Sequence, residues 1–150
     1  MDLYFSSTAG GSQTGDNTAC WFIDSGFTTP YNGVPTAGDN ALFWEGTCDS
    51  FSFSCDQVTV IAGAILSTFN SGTQLLYNQG TITLLGGSGV VSDNTGTITE
   101  SSGTVTTNSS GGVITTNSGN VPTNSSGGTI TTNASGGVVT VNSWGGTITT

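Results

Sequence analysis

The chain of 150 residues contains no lysine, no arginine and no histidine, against nine aspartates and glutamates, for a formal charge of −9. A surface without cations cannot neutralise phosphates, so nucleic acid is excluded as a partner, and anionic lipid is not attracted for the same reason. The usual general base near neutral pH, the Schiff-base amine and the commonest metal ligand are also missing. Carboxylates, tyrosines, cysteines and hydroxyls remain for chemistry, and an enzyme is not expected. No apolar run approaches the length of a membrane span, so no membrane insertion is expected. Met1 to Ser6 has neither a basic n-region nor an apolar h-region, so Sec-type export is not expected to be encoded here. The three cysteines, Cys20, Cys48 and Cys55, allow one disulfide at most, Cys48–Cys55 or Cys20–Cys48, with reduced thiols as the alternative. With no histidine and no CxxC pair, neither a zinc site nor any other cofactor is expected.

Charge is unevenly spread as well as scarce. All nine acids lie at or before Glu100, and the last fifty residues carry no ionisable side chain. Such a tail could be disordered, but disordered segments are poor in β-branched residues and this one is dense in Thr, Val and Ile, which favours ordered β structure.

What is abundant is a repeat. Blocks of glycine, a variable residue and an aliphatic one recur every seven to nine residues, among them Gly80-Thr81-Ile82, Gly96-Thr97-Ile98, Gly112-Val113-Ile114, Gly128-Thr129-Ile130 and Gly146-Thr147-Ile148. Taking every second block yields Ile65, Ile82, Ile98, Ile114, Ile130 and Ile148, an isoleucine each time and at nearly constant spacing. The intervening blocks supply Val91, Val105, Pro122 and Val139. Segregating Ile from Val or Pro implies a coil of about 16 to about 18 residues with two unlike sheets, because three blocks per coil would mix the types in each stack. Alternate strand residues face opposite ways, so Thr-Ile-Thr buries the isoleucine and displays the threonines. The expected fold is an all-β parallel β-solenoid, or β-helix, whose core ladder is the six isoleucines.

Asn, Ser and Gly fill the segments between blocks and read as turns. Asn recurring there, as Asn108 and Asn124 or Asn117 and Asn133, is placed to form an amide ladder from coil to coil. Pro122 lacks a ladder N–H and should weaken pairing locally. The sequons at Asn108, Asn124 and Asn133 read as chance matches in an Asn- and Ser-rich repeat.

Residues 1–56 differ in character, with aromatics from Tyr4 to Phe53, and are expected to form an N-terminal cap or assembly region before repeats over 57–150. Trp21-Phe22, the run Gly33-Val34-Pro35-Thr36-Ala37-Gly38-Asp39-Asn40-Ala41-Leu42-Phe43, and Val58-Thr59-Val60 resemble the opening of β-solenoid modules in phage tail fibres and bacterial surface proteins. The resemblance spans about residues 20–150. It implies a pectin-lyase-like β-helical shape and a structural or adhesive role, and carries over no catalytic residue.

Asp24, Asp39, Glu45, Asp49 and Asp56 include candidates for a glycosidase-like pair, though no basic residue is present to bind an acidic sugar or tune a pKa. The same acids are oxygen donors of the kind calcium takes, without EF-hand spacing. The function expected is that of a fibre-forming protein, in a virion tail fibre or an extracellular filament, whose partner is itself or another fibre or cell-surface protein. It would join head to tail, with Trp144 and Ile148 at the interface. Two rivals are a surface adhesin and an ice-binding solenoid using rows such as Thr97, Thr99, Thr129 and Thr131.

Overall fold

A computed structural model describes residues 1–11, 14–49, 51, 53, 55–69 and 74–150. The described strands are β1 (Asp2–Ser6), β2 (Trp21–Phe22), β3 (Asn40–Glu45), β4 (Thr47–Cys48), β5 (Gln57–Val60), β6 (Ile65–Phe69), β7 (Gln74–Asn78) and β8 (Thr81–Leu85). They continue as β9 (Val90–Asn94), β10 (Thr97–Ser101), β11 (Thr104–Asn108), β12 (Val113–Asn117), β13 (Asn120–Asn124), β14 (Thr129–Asn133), β15 (Val138–Asn142) and β16 (Thr147–Ile148). Helix α1 (Ser7–Gly10) and a 3-10 turn at Thr18–Cys20 complete the elements.

The strands form two sheets. One has nine strands in the order β15-β13-β11-β9-β7-β5-β3-β1-β2, and the other seven in the order β16-β14-β12-β10-β8-β6-β4. From β3 onward odd strands lie in the first sheet and even strands in the second, and neighbours within each are parallel. The chain is therefore a two-sheet parallel β-solenoid of about six turns with about 16 residues per coil.

The variable coil length has a simple origin. From β8 to β15 every strand is five residues long, and the corners between them hold either two residues, such as 118–119, or four, such as 109–112. A coil is two strands plus two corners, so it is shortest with two short corners, as from Thr104 back to Val90. It is intermediate with one of each, as from Val113 back to Thr97, and longest with two long corners, as from Val138 back to Asn120. Each four-residue corner is a β-turn closed by a main-chain bond, for example Gly112 N–H to Ser109 O at 2.8 Å. Adding or removing two residues keeps side-chain parity, so the inward set stays inward.

Stacking selects the residues on each face. Positions two and five of the regular strands are buried, as in Ile82 and Leu85 of β8 or Val105 and Asn108 of β11. In the second sheet Ile82, Ile98, Ile114 and Ile130 form a fully buried column, and Ile148 packs half-buried against it. Ile65 is not part of it. It pairs with Thr81 on the outside and is 38% exposed, while Leu66 pairs with Ile82 and is fully buried. The reason is Ala64, whose carbonyl accepts from Thr81 N–H and which stands where later coils have the glycine of the repeat, so Gly63 misplaces the register by one residue. Leu66→Ala is accordingly expected to cost about 2–5 kcal/mol, whereas Ile65→Ala stays within about 1 kcal/mol; urea unfolding of the two variants checks this.

The coils also begin earlier than residue 57. β1 and β3 are parallel rungs of the first sheet, with Leu3 opposite Ala41 and Phe5 opposite Phe43, and β4 is the first rung of the second. What closes the N-terminal end is the excursion between β1 and β3. β2 runs antiparallel along β1, and its far edge is covered by residues 29–31, with Tyr31 N–H donating to Trp21 O at 2.8 Å and Pro30 bridging Phe22. Proline at that margin offers no outward N–H to another strand. Beside the second sheet, α1 begins at the corner after β1, where Ser7 Oγ accepts from Thr47 N–H at 3.1 Å. Beneath this cover Trp21, Phe5, Phe43 and Phe53 pack edge to face or tilted, and Trp21 Nε1–H donates to Gly15 O at 2.6 Å.

Candidate functional site: interior ladders, open edge and outer faces

The interior changes chemistry along the rod. In the first sheet one inward column runs Phe5, Phe43, Val60, Asn78, Asn94, Asn108, Asn124 and Asn142. In the second, the matching column runs Phe69, Leu85, Ser101, Asn117 and Asn133. Both pass from apolar groups near the cap to amides farther on. Each asparagine of the first column donates Nδ2–H to Oδ1 of the next, at 2.7 Å from Asn78 to Asn94 and from Asn94 to Asn108, 2.8 Å to Asn124 and 2.7 Å to Asn142. Asn117 donates to Asn133 at 2.8 Å in the second. The expected amide ladders are present, but the asparagines end strands and point inward; they are not merely turn residues.

Among the described residues two buried side-chain polar atoms have no hydrogen-bond partner, Asn78 Oδ1 and Ser101 Oγ. They sit where each column changes from apolar to polar, Asn78 above Val60 and Ser101 above Leu85. A ladder that starts on a hydrocarbon leaves its first oxygen unsatisfied.

Asn108 and Asn124 are fully buried, so the folded chain hides two of the three sequon amides, and half-buried Asn133 donates to Gly137 O at 3.0 Å. These asparagines are interior parts of the coil.

The acids of the first coils hold turns and corners. Asp24 accepts from Gly26 N–H, Thr28 N–H and Oγ1–H, and Thr29 N–H, and these bonds, the Thr28 amide foremost, hold its pKa below the ordinary aspartate value. Asp39 lies 2.9 Å from the Met1 amino group and accepts from Thr36 N–H and Oγ1–H, which lowers its pKa, the amino group contributing most. Glu45 accepts from Ser6 Oγ–H at 2.6 Å, and Asp49 from Ser67 Oγ–H one coil on at 3.0 Å. Asp56 is exposed. Among the described residues no three Asp, Glu or Cys side chains converge as metal ligands, no ligand-sized cavity is present, and no helix is long and apolar enough to cross a membrane.

Cys48 is buried in the second sheet, opposite Leu66, and Cys55 is half-buried with its thiol 3.3 Å from Gln57 O. Cys20, Cys48 and Cys55 are all thiols, so neither sequence-derived disulfide pairing is formed. Desolvation pushes the Cys55 thiol up to about 11, with Asp56 and Asp39 adding to the effect. Only the thiolate is nucleophilic, so at pH 8 Cys55 should react with iodoacetamide about a hundredfold more slowly in the folded chain than in denaturant. Mass spectrometry of timed alkylation measures it.

At the other end of the rod β15 is the last strand beyond β13 and β16 the last beyond β14, so among the described residues their outer edges have no strand partner. Val138 and Val141 are exposed there, and Trp144 is 88% exposed at a corner with φ 49°, the position held by Ser110 and Ser126 in the coils below. Trp144 and Ile148, paired by sequence reasoning, occupy different places: the indole stands off the corner and the isoleucine faces the core.

These observations define a capped, two-sheet parallel β-solenoid with a graded interior. No protein-family model matches the sequence, and no match to a curated protein or to a solved structure is found.

Proposed function

We propose that the chain is a rigid structural element of a fibre, of the kind used in phage tail fibres, extracellular filaments and bacterial surface adhesins. The observation that carries this reading is a continuous stack of parallel rungs, closed at one end and presenting unpaired strand edges at the other. A further rung, from the same polypeptide or from another subunit, would pair with the main-chain groups of β15 and β16 and cover half-buried Val139 and Ile148.

Head-to-tail joining, the mode expected from sequence, meets an obstacle in the cap. Strand β2, residues 29–31 and α1 occupy the N-terminal edges, so extension favours the direction away from the cap. Negative-stain electron microscopy over a rising concentration series tests the proposal. Thin unbranched rods that lengthen or join at one end support it, and long filaments would add that the cap opens. Compact particles unchanged at every concentration would overturn self-assembly.

A further inference from the structure

The outer faces of the two sheets are unlike. On the seven-stranded sheet one column runs Thr81, Thr97, Val113, Thr129 and Thr147 in direct register. Two residues along the same rungs lie Thr83, Thr99, Thr115, Thr131 and Thr149, the last held in its rung by Thr149 N–H donating to Ile130 O at 2.9 Å. No register shift interrupts this sheet from β6 to β16. The corresponding pairs on the other sheet are Val90 and Ser92, Thr104 and Thr106, Asn120 and Pro122, and Val138 and Thr140, which share no pattern.

Rungs repeat at about 4.8 Å and the two columns stand about 6.7 Å apart, so the face is a two-dimensional lattice of methyl and hydroxyl groups. The residue between the columns points inward, leaving a shallow trough along the rod. The hydroxyls of these columns bond to no group of the chain among the described residues. Corner hydroxyls behave differently: Thr95, Ser102 and Ser118 donate to the carbonyls of Asn78, Leu85 and Ser101 in the coil below. The column hydroxyls are thus unspent, rigidly spaced and turned outward. Segments 113–115, 129–131 and 147–149 carry neither charge nor aromatic ring, and the flanking Leu84 and Glu100 lie only on β8 and β10.

From this geometry we propose that the outer face of the seven-stranded sheet binds the surface of ice. An ice surface is an uncharged lattice of donors and acceptors whose oxygen repeats lie near both spacings. Waters held in the trough and on the hydroxyls would join it, while the methyl groups exclude unmatched waters. A crystalline polysaccharide fits less well, since sugar rings are gripped by aromatic faces and these columns have none.

The test is thermal hysteresis and ice-crystal shape in a nanolitre osmometer, using the full chain. Hysteresis with faceted crystals is expected, lost in Thr115→Tyr/Thr131→Tyr and retained in the opposite-face control Thr106→Tyr/Thr140→Tyr, with circular dichroism confirming the fold of each. Should tyrosine disturb folding, Thr115→Lys/Thr131→Lys serves the same purpose. Absence of hysteresis and shaping in the unaltered chain, or equal loss in both pairs, overturns the proposal. So does retention on crystalline chitin without incorporation into ice, which would assign the face to polysaccharide.

Discussion

Asn108→Leu is expected to destabilise the chain by about 2–6 kcal/mol, a large share of the roughly 5–15 kcal/mol that holds a domain folded. Leucine keeps the branched skeleton of the amide, so the main loss is one of hydrogen bonding, to which its bulkier methyl groups add some overpacking. Asn108 Oδ1 accepts from Asn94 Nδ2–H at 2.7 Å, its own Nδ2–H donates to Asn124 Oδ1 at 2.8 Å, and all three amides are fully buried. Leucine leaves Asn94 Nδ2–H and Asn124 Oδ1 without their partners, each at about 1–3 kcal/mol. Stability in a stacked array is a sum over neighbouring interfaces, so coils beyond residue 108 should lose hydrogen-exchange protection before those near the cap. Ser101→Ala is the internal control. It removes a hydroxyl that already lacks a partner, so its effect should stay within about 1 kcal/mol.

Gly112→Ala is expected to be the other severe change, costing about 3 kcal/mol or more, as overpacking against an immovable neighbour does. A Cβ at residue 112 would run into the carbonyl of Asn94 in the coil below and into Asn108 Oδ1 at 2.7 Å. Main chain cannot swing aside, so the two coils would separate and strain the bond from Val113 N–H to Gly96 O at 2.8 Å. The preceding glycine is required for another reason. Gly111 has open space around its Cβ position but a φ of 83°, so Gly111→Ala should cost about 1–2 kcal/mol through backbone strain alone. Thermal unfolding of the two alanine variants should therefore rank Gly112→Ala well below Gly111→Ala. The same close approach occurs at Gly119, whose Cβ would meet the carbonyl of Gly103, which explains why the repeat begins on glycine.

Much of this architecture was legible because repetition writes geometry into the chain. Isoleucines recurring once per coil, in every second block, require two sheets, and the observed column of Ile82, Ile98, Ile114 and Ile130 follows that reading residue for residue. The sequence misleads where the repeat degenerates. Gly63-Ala64-Ile65 imitates the Gly-x-Ile block, yet Gly63 sits inside a four-residue corner with φ 93° and Ala64 takes the closing position, so Leu66 is inward. Rungs β1 and β3 are not legible in the sequence because they carry aromatic residues without the glycine block and meet only after the long excursion between them, as in Asp2 opposite Asn40.

The sequence alone determined the parallel two-sheet coil, its length and the outward threonines, because these depend on side-chain parity and spacing along one strand. It did not determine which side of a corner an asparagine takes, since Asn suits a turn and a buried amide equally and its partner lies a whole coil away. Coil closure decided that Asn108 and Asn124 fill the interior, that Cys48 and Cys55 are not bonded, and that the excursion between β1 and β3 seals the N-terminal edges. Each of these outcomes rests on contacts between residues distant in the chain, and only stacking in three dimensions sets those distances.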